Sequence, residues 1–127
     1  MQDEANEPFT FDFGQAAALL EMMSSPARIG VLQRVTTREW DVASLAADLA
    51  MGQSALSQHL TKLGDAKMVK TRRAAQQIFY ASDSPAVIAM LQTLESLGPM
   101  PVGRLTEAQE AARQKRIGRR RISTYLA

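Results

Sequence analysis

Residues Gln53 to Leu63 confine the possible fold more tightly than any other stretch of the chain. Apolar side chains fall at Leu56, Leu60 and Leu63, an i, i+4, i+7 stripe that one face of a helix buries. At roughly 100° per residue, Ser54, Ser57, Gln58 and Thr61 point well away from that stripe. A merely solvated helix would carry Glu and Lys there. Hydroxyls and amides with no carboxylate between them suit a helix lying in the major groove of DNA. Gln pairs bidentately with adenine, Ser meets several base edges, and a Thr methyl can touch that of thymine. Taken alone, the segment reads equally well as an ordinary amphipathic helix.

The neighbouring segments decide. Upstream, Val42, Leu45, Ala46 and Leu49 make a second short apolar stripe that breaks at Met51-Gly52, and Gly52 is an acceptable cap for a new helix. Two short helices joined by about three residues form a helix-turn-helix. Downstream, Met68 to Arg73 and Gln76 to Tyr80 read as two strands around Ala74-Ala75, with Val69, Ile78 and Tyr80 inward. Lys70, Arg72 and the Gln76-Gln77 pair then face water or an anion. A basic hairpin after a helix-turn-helix predicts an α+β, mostly helical fold, a winged helix-turn-helix.

At 127 residues with 46% apolar content, the chain predicts one globular domain. No run approaches the roughly 18 apolar residues of a membrane span. Its first residues are acidic and unlike a signal peptide, so the expected location is the cytoplasm. With no cysteine, disulfide and thiolate chemistry are excluded. Residues 1–61 hold three Arg against eight acids, a balance of −5; residues 62–127 hold twelve Lys or Arg against five, a balance of +7. A one-sided basic distribution is the footprint of a polyanion partner.

Residues 1–11 read as a flexible lead, 12–97 as the folded domain, and 98–127 as a Pro/Gly linker followed by a basic tail. That tail reads as helical over 105–115, and its Arg119-Arg120-Arg121 run is either solvated or a DNA arm. Ser25-Pro26 and Ser84-Pro85 are helix starts, each a cap followed by proline at the first helical position. Trp40-Asp41-Val42 reads as a third strand, with Trp40 packed at the base of the wing. The helices near 15–23 and 85–97 are too apolar for the outside of so small a domain, which marks an interface. A homodimer through Leu19, Leu20, Met23, Ile88, Leu91 and Leu94 is therefore expected, with dimerisation helices at both ends of the unit.

Several segments together resemble the ArsR/SmtB family of winged-helix transcriptional regulators. They are Ser25-Pro26-Ala27-Arg28-Ile29, Val42-Ala43-Ser44-Leu45-Ala46, Gln53 to Leu60, Ala66-Lys67-Met68-Val69, Arg72-Arg73 and Phe79-Tyr80. The resemblance spans roughly residues 15–97. It implies a dimer bound to an imperfect palindromic operator in double-stranded DNA, and repression relieved by an effector that the sequence does not name. It also implies that Gln53, Ser54, Ser57 and Gln58 read bases. His59, Thr61, Lys62, Lys70, Arg72, Arg73 and Gln76 would hold the DNA backbone. Metal-sensing members use cysteine pairs, or His and acidic ligands on the last helix; this chain has no Cys, and His59 is its single His. Zinc-like ions want several imidazole or thiolate ligands, so the expectation is no metal, no cofactor and no thiol sensing. Some members sense neither metal nor thiol oxidation, and the chain resembles that metal-independent, NolR-like rhizobial subgroup. At the wing tip, where the family often has an acidic residue and Gly, stand Ala74-Ala75. Alanine resists positive φ, so a loop wider than a tight turn is expected.

His59 has two readings, a phosphate contact or packing beside Leu60. The Met residues read as core rather than copper ligands. An enzyme is not supported, since the chain shows no spare histidine, glycine-rich phosphate loop or metal cluster. The alternative is a winged helix serving as a protein-interaction and dimerisation module without DNA binding. The Ser/Gln face and the basic wing argue against it.

Overall fold

A computed structural model describes residues 8–114. Asp12 opens α1 (Phe13–Met22), its carboxylate accepting from the Gln15 amide at 2.8 Å. The helix thus starts two residues before Gln15, at a cap the alanine-rich run had hidden. Ser25 caps α2 (Pro26–Val35) with Pro26 at its first position, as the Ser-Pro pair predicts. Asp41 serves twice. It ends the two-residue strand β1 (Trp40–Asp41), and its side chain caps α3 (Val42–Leu49) through the Ser44 amide. Val42 is therefore helical rather than part of the strand.

Residues 50–52 link α3 to α4 (Gln53–Asp65), with Ala50 left-handed at φ 55° and Gly52 as the cap. The Met51 amide closes the turn on the Ala46 carbonyl at 3.0 Å. The hairpin strands are β2 (Lys70–Ala74) and β3 (Gln77–Ala81). They form an antiparallel sheet in the order β1-β3-β2, with Trp40 opposite Tyr80 and Arg72 opposite Phe79. Met68 and Val69 precede the strand and are buried, so the wing begins later than the apolar pair suggests. Ser84-Pro85 opens α5 (Pro85–Leu97), which stops at Gly98 with φ 62°. A further helix, α6, covers 107–114 of the described residues. The Thr106 hydroxyl accepts from the Gln109 amide while the Gln109 side chain accepts from the Thr106 amide, a reciprocal capping box.

The core is built from the helix-turn-helix and its supports. Val31, Leu32, Val35, Leu45, Leu56, Leu60, Leu63 and Val87 are essentially inaccessible. Each such Leu or Val contributes roughly 1.5–3 kcal/mol by leaving water. The apolar spacing on α2 selects Val31 rather than Ile29 as the inner residue; Ile29 is only half-buried. Gly30 permits the α2–α3 approach, because a Cβ there would stand 3.0 Å from Leu49 Cδ2. Arg34 then bridges the pair, with Nε 2.6 Å from the Asp48 carboxylate. Ser82 is buried, its amide donating to the Val35 carbonyl and its hydroxyl to that of Met68, which ties the end of β3 to α2 and the α4–β2 turn. No helix among the described residues is long and apolar enough to cross a membrane.

Candidate nucleic-acid interface

The Leu56, Leu60 and Leu63 stripe seats α4 on the core and turns its opposite face to solvent. Gln53, Ser54, Ser57 and Gln58 are all exposed there, and among the described residues their side chains make no hydrogen bond. Four polar groups are thus left with full donor and acceptor capacity on one surface. Thr61 differs from them. Its hydroxyl donates to the Ser57 carbonyl at 2.9 Å, leaving the methyl as the part open to contact. The helix also continues past Leu63 to Asp65, whose exposed carboxylate lies seven residues after Gln58 and so on the same face. A carboxylate there repels phosphate, so the first two turns of α4, not its end, suit a polyanion.

One flank of α4 is cationic. Lys62 is exposed and makes no ion pair among the described residues. His59 is half-buried beside it, with Nδ1 facing Arg28 Nη1 at 3.4 Å. Burial first, then the charges of Arg28 and Lys62, hold its imidazole below the ordinary value near 6.5, so the ring is neutral at pH 7. Arg28 itself is 9% exposed, and its Nε and Nη2 donate to the Met22 and Glu21 carbonyls at 2.7 and 3.1 Å. Sequence reasoning missed this residue as a functional one. A signal was present: an arginine in the first turn of a helix opposes the macrodipole and needs another reason to stand there.

The wing's cations divide by face, since neighbouring strand residues point to opposite sides. Arg72 forks onto Glu39, Nε to Oε2 at 2.9 Å and Nη2 to Oε1 at 2.8 Å, and lies 5.0 Å from the Phe79 ring centre. Lys70, on the same face, pairs with Asp83 at 2.8 Å. Arg73 points the other way, opposite Ile78, and makes no ion pair among the described residues. The backbone candidates Arg72 and Lys70 are therefore already engaged, while Arg73 is available. Gln76 stands exposed at the tip. The loop there is not wide: Ala74 pairs with Gln77, leaving only Ala75 and Gln76 between the strands, and Ala75 takes φ 56°. The wing accepts a left-handed alanine, at a cost of about 1–2 kcal/mol, because the paired strands on both sides fix a two-residue connection. Ile78 is 37% exposed so near the tip and packs inward less than its alternation suggests. Trp40 does pack against the core, its Nε1 donating to the Arg34 carbonyl at 3.1 Å while the Arg38 guanidinium stacks on the ring.

The outer helices remain largely uncovered. No residue of α1 is buried, and α5 buries Val87 alone. Leu19, Leu91 and Leu94 pack only partly on the core, Ile88 is half-buried and Leu20 is 54% exposed. Met23 is different: it sits in the core of its own protomer, 6% exposed, because the chain turns inward after α1, so it is not offered to a partner. Within the tail, Arg113 pairs with Glu110 of its own helix at 2.8 Å, and the Arg119-Arg120-Arg121 run lies outside the described residues. Among the described residues no group of three or more His, Cys, Asp or Glu stands close enough together to hold a metal ion.

The family model described as "Bacterial regulatory protein, arsR family" matches residues 25–71, from the cap of α2 into β2. The nodulation protein NolR of Rhizobium meliloti is 43% identical over 82 residues, covering 65% of this chain and 67% of that protein. The transcriptional activator HlyU of Vibrio cholerae is 39% identical over 83 residues, covering 65% and 77%. The crystal structure of NolR from Sinorhizobium fredii superimposes with a TM-score of 0.66 at 36% identity, covering 72% of this chain and 96% of that one.

Proposed function

Because the chain belongs to the arsR family of bacterial regulatory proteins, and is a NolR-like, DNA-binding regulator within it, we propose that it is a dimeric repressor reading an imperfect palindromic operator through α4. The observation that carries this reading is the unengaged face of Gln53, Ser54, Ser57 and Gln58, set on a helix-turn-helix whose opposite side is locked into the core. Lys62, Arg73 and Gln76 hold the backbone on either side, with His59 beside Lys62. The uncovered faces of α1 and α5 join two copies through Leu19, Leu20, Ile88, Leu91 and Leu94. That dimer sets the two reading helices on successive major grooves, with half-site centres about one helical turn apart. Occupying a promoter in this way blocks transcription without any further contact. The folded unit that does so is 12–97.

Sequences selected from random DNA test the reading. Gln53→Ala and Gln58→Ala should each cost roughly 1–3 kcal/mol on the selected site and little on random DNA. Equal losses on both would show that these residues only position the helix. A reporter that rises with protein level would reverse the sign, the direction the name of HlyU carries. Absence of any DNA binding, with partner-protein binding intact, would favour the interaction-module alternative.

A further inference from the structure

Arg28 stands where an anion would be favoured, in the first turn of α2, and is almost wholly enclosed. Two of its nitrogens hold the last carbonyls of α1, and the remaining one, Nη1, is turned to His59 Nδ1. A guanidinium carries donors only and stays charged. Nδ1 can therefore meet it only through the lone pair, so the ring's proton sits on Nε2, on the side away from Arg28. The charges acting on the ring, Arg28 from α2 and Lys62 one turn along α4, both oppose a second proton.

We infer that Arg28 is a positioning residue for DNA contact: it holds Nδ1 as an acceptor and so presents His59 as a neutral Nε2–H donor to a backbone phosphate oxygen beside Lys62. The inference rests on the reading of α4 as the DNA-contacting helix. It separates two kinds of phosphate contact on one helix flank. Lys62 brings a charge and displaces a counterion; His59 brings direction and displaces none. His59 then fixes how the helix sits without adding to the salt-sensitive part of the attraction.

His59 is the single histidine, so the ¹⁵N spectrum of the ring nitrogens in the labelled full-length protein needs no assignment. The expected result at about pH 7.5, a unit above the ordinary imidazole value, is a neutral ring with Nε2 protonated and Nδ1 bare, in free protein and in the DNA complex alike. His59→Phe keeps the ring volume and should weaken binding to selected and random DNA alike, roughly tenfold for one lost hydrogen bond to a charged group. The log K against log salt slope should not change. Arg28→Lys should mix the ring's tautomers or protonate it, and should weaken binding in a protein that still folds. If Arg28→Lys does not fold, the native spectrum and His59→Phe still decide. A native ring protonated on Nδ1 overturns the inference. So does a slope flattened by about 0.9 in His59→Phe, or a folded Arg28→Lys with unchanged spectrum and affinity. A protein that binds no DNA refutes the function proposed above, whereas the ring spectrum judges the hold of Arg28 independently.

Discussion

The Arg72–Glu39 fork leads to a prediction that separates bound charge from available charge on the wing. Arg72 is the most obvious phosphate ligand of the hairpin, yet its two donors already meet the two oxygens of Glu39, and the carboxyl of Glu39 is held below its usual range first by that hydrogen bond. The pair is electrically neutral. If the fork stays closed on DNA, Arg72 neutralises no phosphate and adds almost nothing to the number of counterions released. Each phosphate neutralised steepens the log K against log salt slope by about 0.9, or roughly 3.5-fold more affinity lost between 50 and 200 mM salt. Fluorescence anisotropy on a labelled duplex across that range should therefore show Arg72→Ala with nearly the parental slope and Arg73→Ala flatter by about 0.9. Glu39→Gln should be steeper by about 0.9 and tighter at low salt on any sequence. Adding Arg72→Ala to Glu39→Gln should return the slope to its starting value. A flattened slope in Arg72→Ala alone, or no change in Glu39→Gln, would refute the reasoning.

Four further outcomes follow from other parts of the molecule. Leu91→Asp sets a charge into the uncovered α5 face and should shift sedimentation from dimer toward monomer and weaken operator binding together; a monomeric mass for the unmodified protein would sink the dimer. Ala75→Gly relieves the left-handed alanine of the wing and should raise stability by roughly 1 kcal/mol, visible as a higher Tm. Because folding lowers the pKa of His59 below its ordinary value near 6.5, the unfolded chain takes the proton first. Stability should therefore be level above about that pH and decline as pH falls through it, and the decline should be smaller in His59→Phe. Operator affinity should be the same with stoichiometric zinc, nickel or cadmium as with chelator, since only one imidazole and no thiolate is at hand; a tenfold loss with any of them would overturn this.

Much of the architecture was legible because it is written in short-range chemistry. Ser25-Pro26 and Ser84-Pro85 each combine a capping hydroxyl with a residue preset for helical φ, and both open helices where expected. The Leu56, Leu60 and Leu63 spacing gave the buried face of α4, and with it the exposed one. What sequence could not show are contacts between residues far apart. Arg72 and Glu39 are separated by 33 positions and meet only because β1 lies against β3. Arg28 and His59, 31 apart, meet only once α2 packs against α4. Local propensity was also overruled at the wing tip, where strand pairing imposed a conformation Ala75 does not favour. Met23 was misplaced for a similar reason: the run before it is apolar on more than one side, and Met23 stands just past the end of α1, where the chain turns into the core.

The brevity of the free polar face on α4 has a genomic consequence. Gln53 to Gln58 covers about 9 Å of helix at 1.5 Å per residue, and beyond it the Thr61 hydroxyl is taken and Asp65 repels. Nine ångströms spans about three base pairs at 3.4 Å each, so under the proposed reading two such helices would specify roughly six positions. A word of that length recurs by chance about once in 4×10³ base pairs, against the 10⁶ or more competing sites a genome offers. Hundreds of matches or more would therefore exist in a bacterial chromosome of ordinary size. A reader with so narrow a window is suited to a dispersed set of genes, ranked by how well each site's flanking sequence bends and by how many sites compete for the same copies of protein, rather than to a single address.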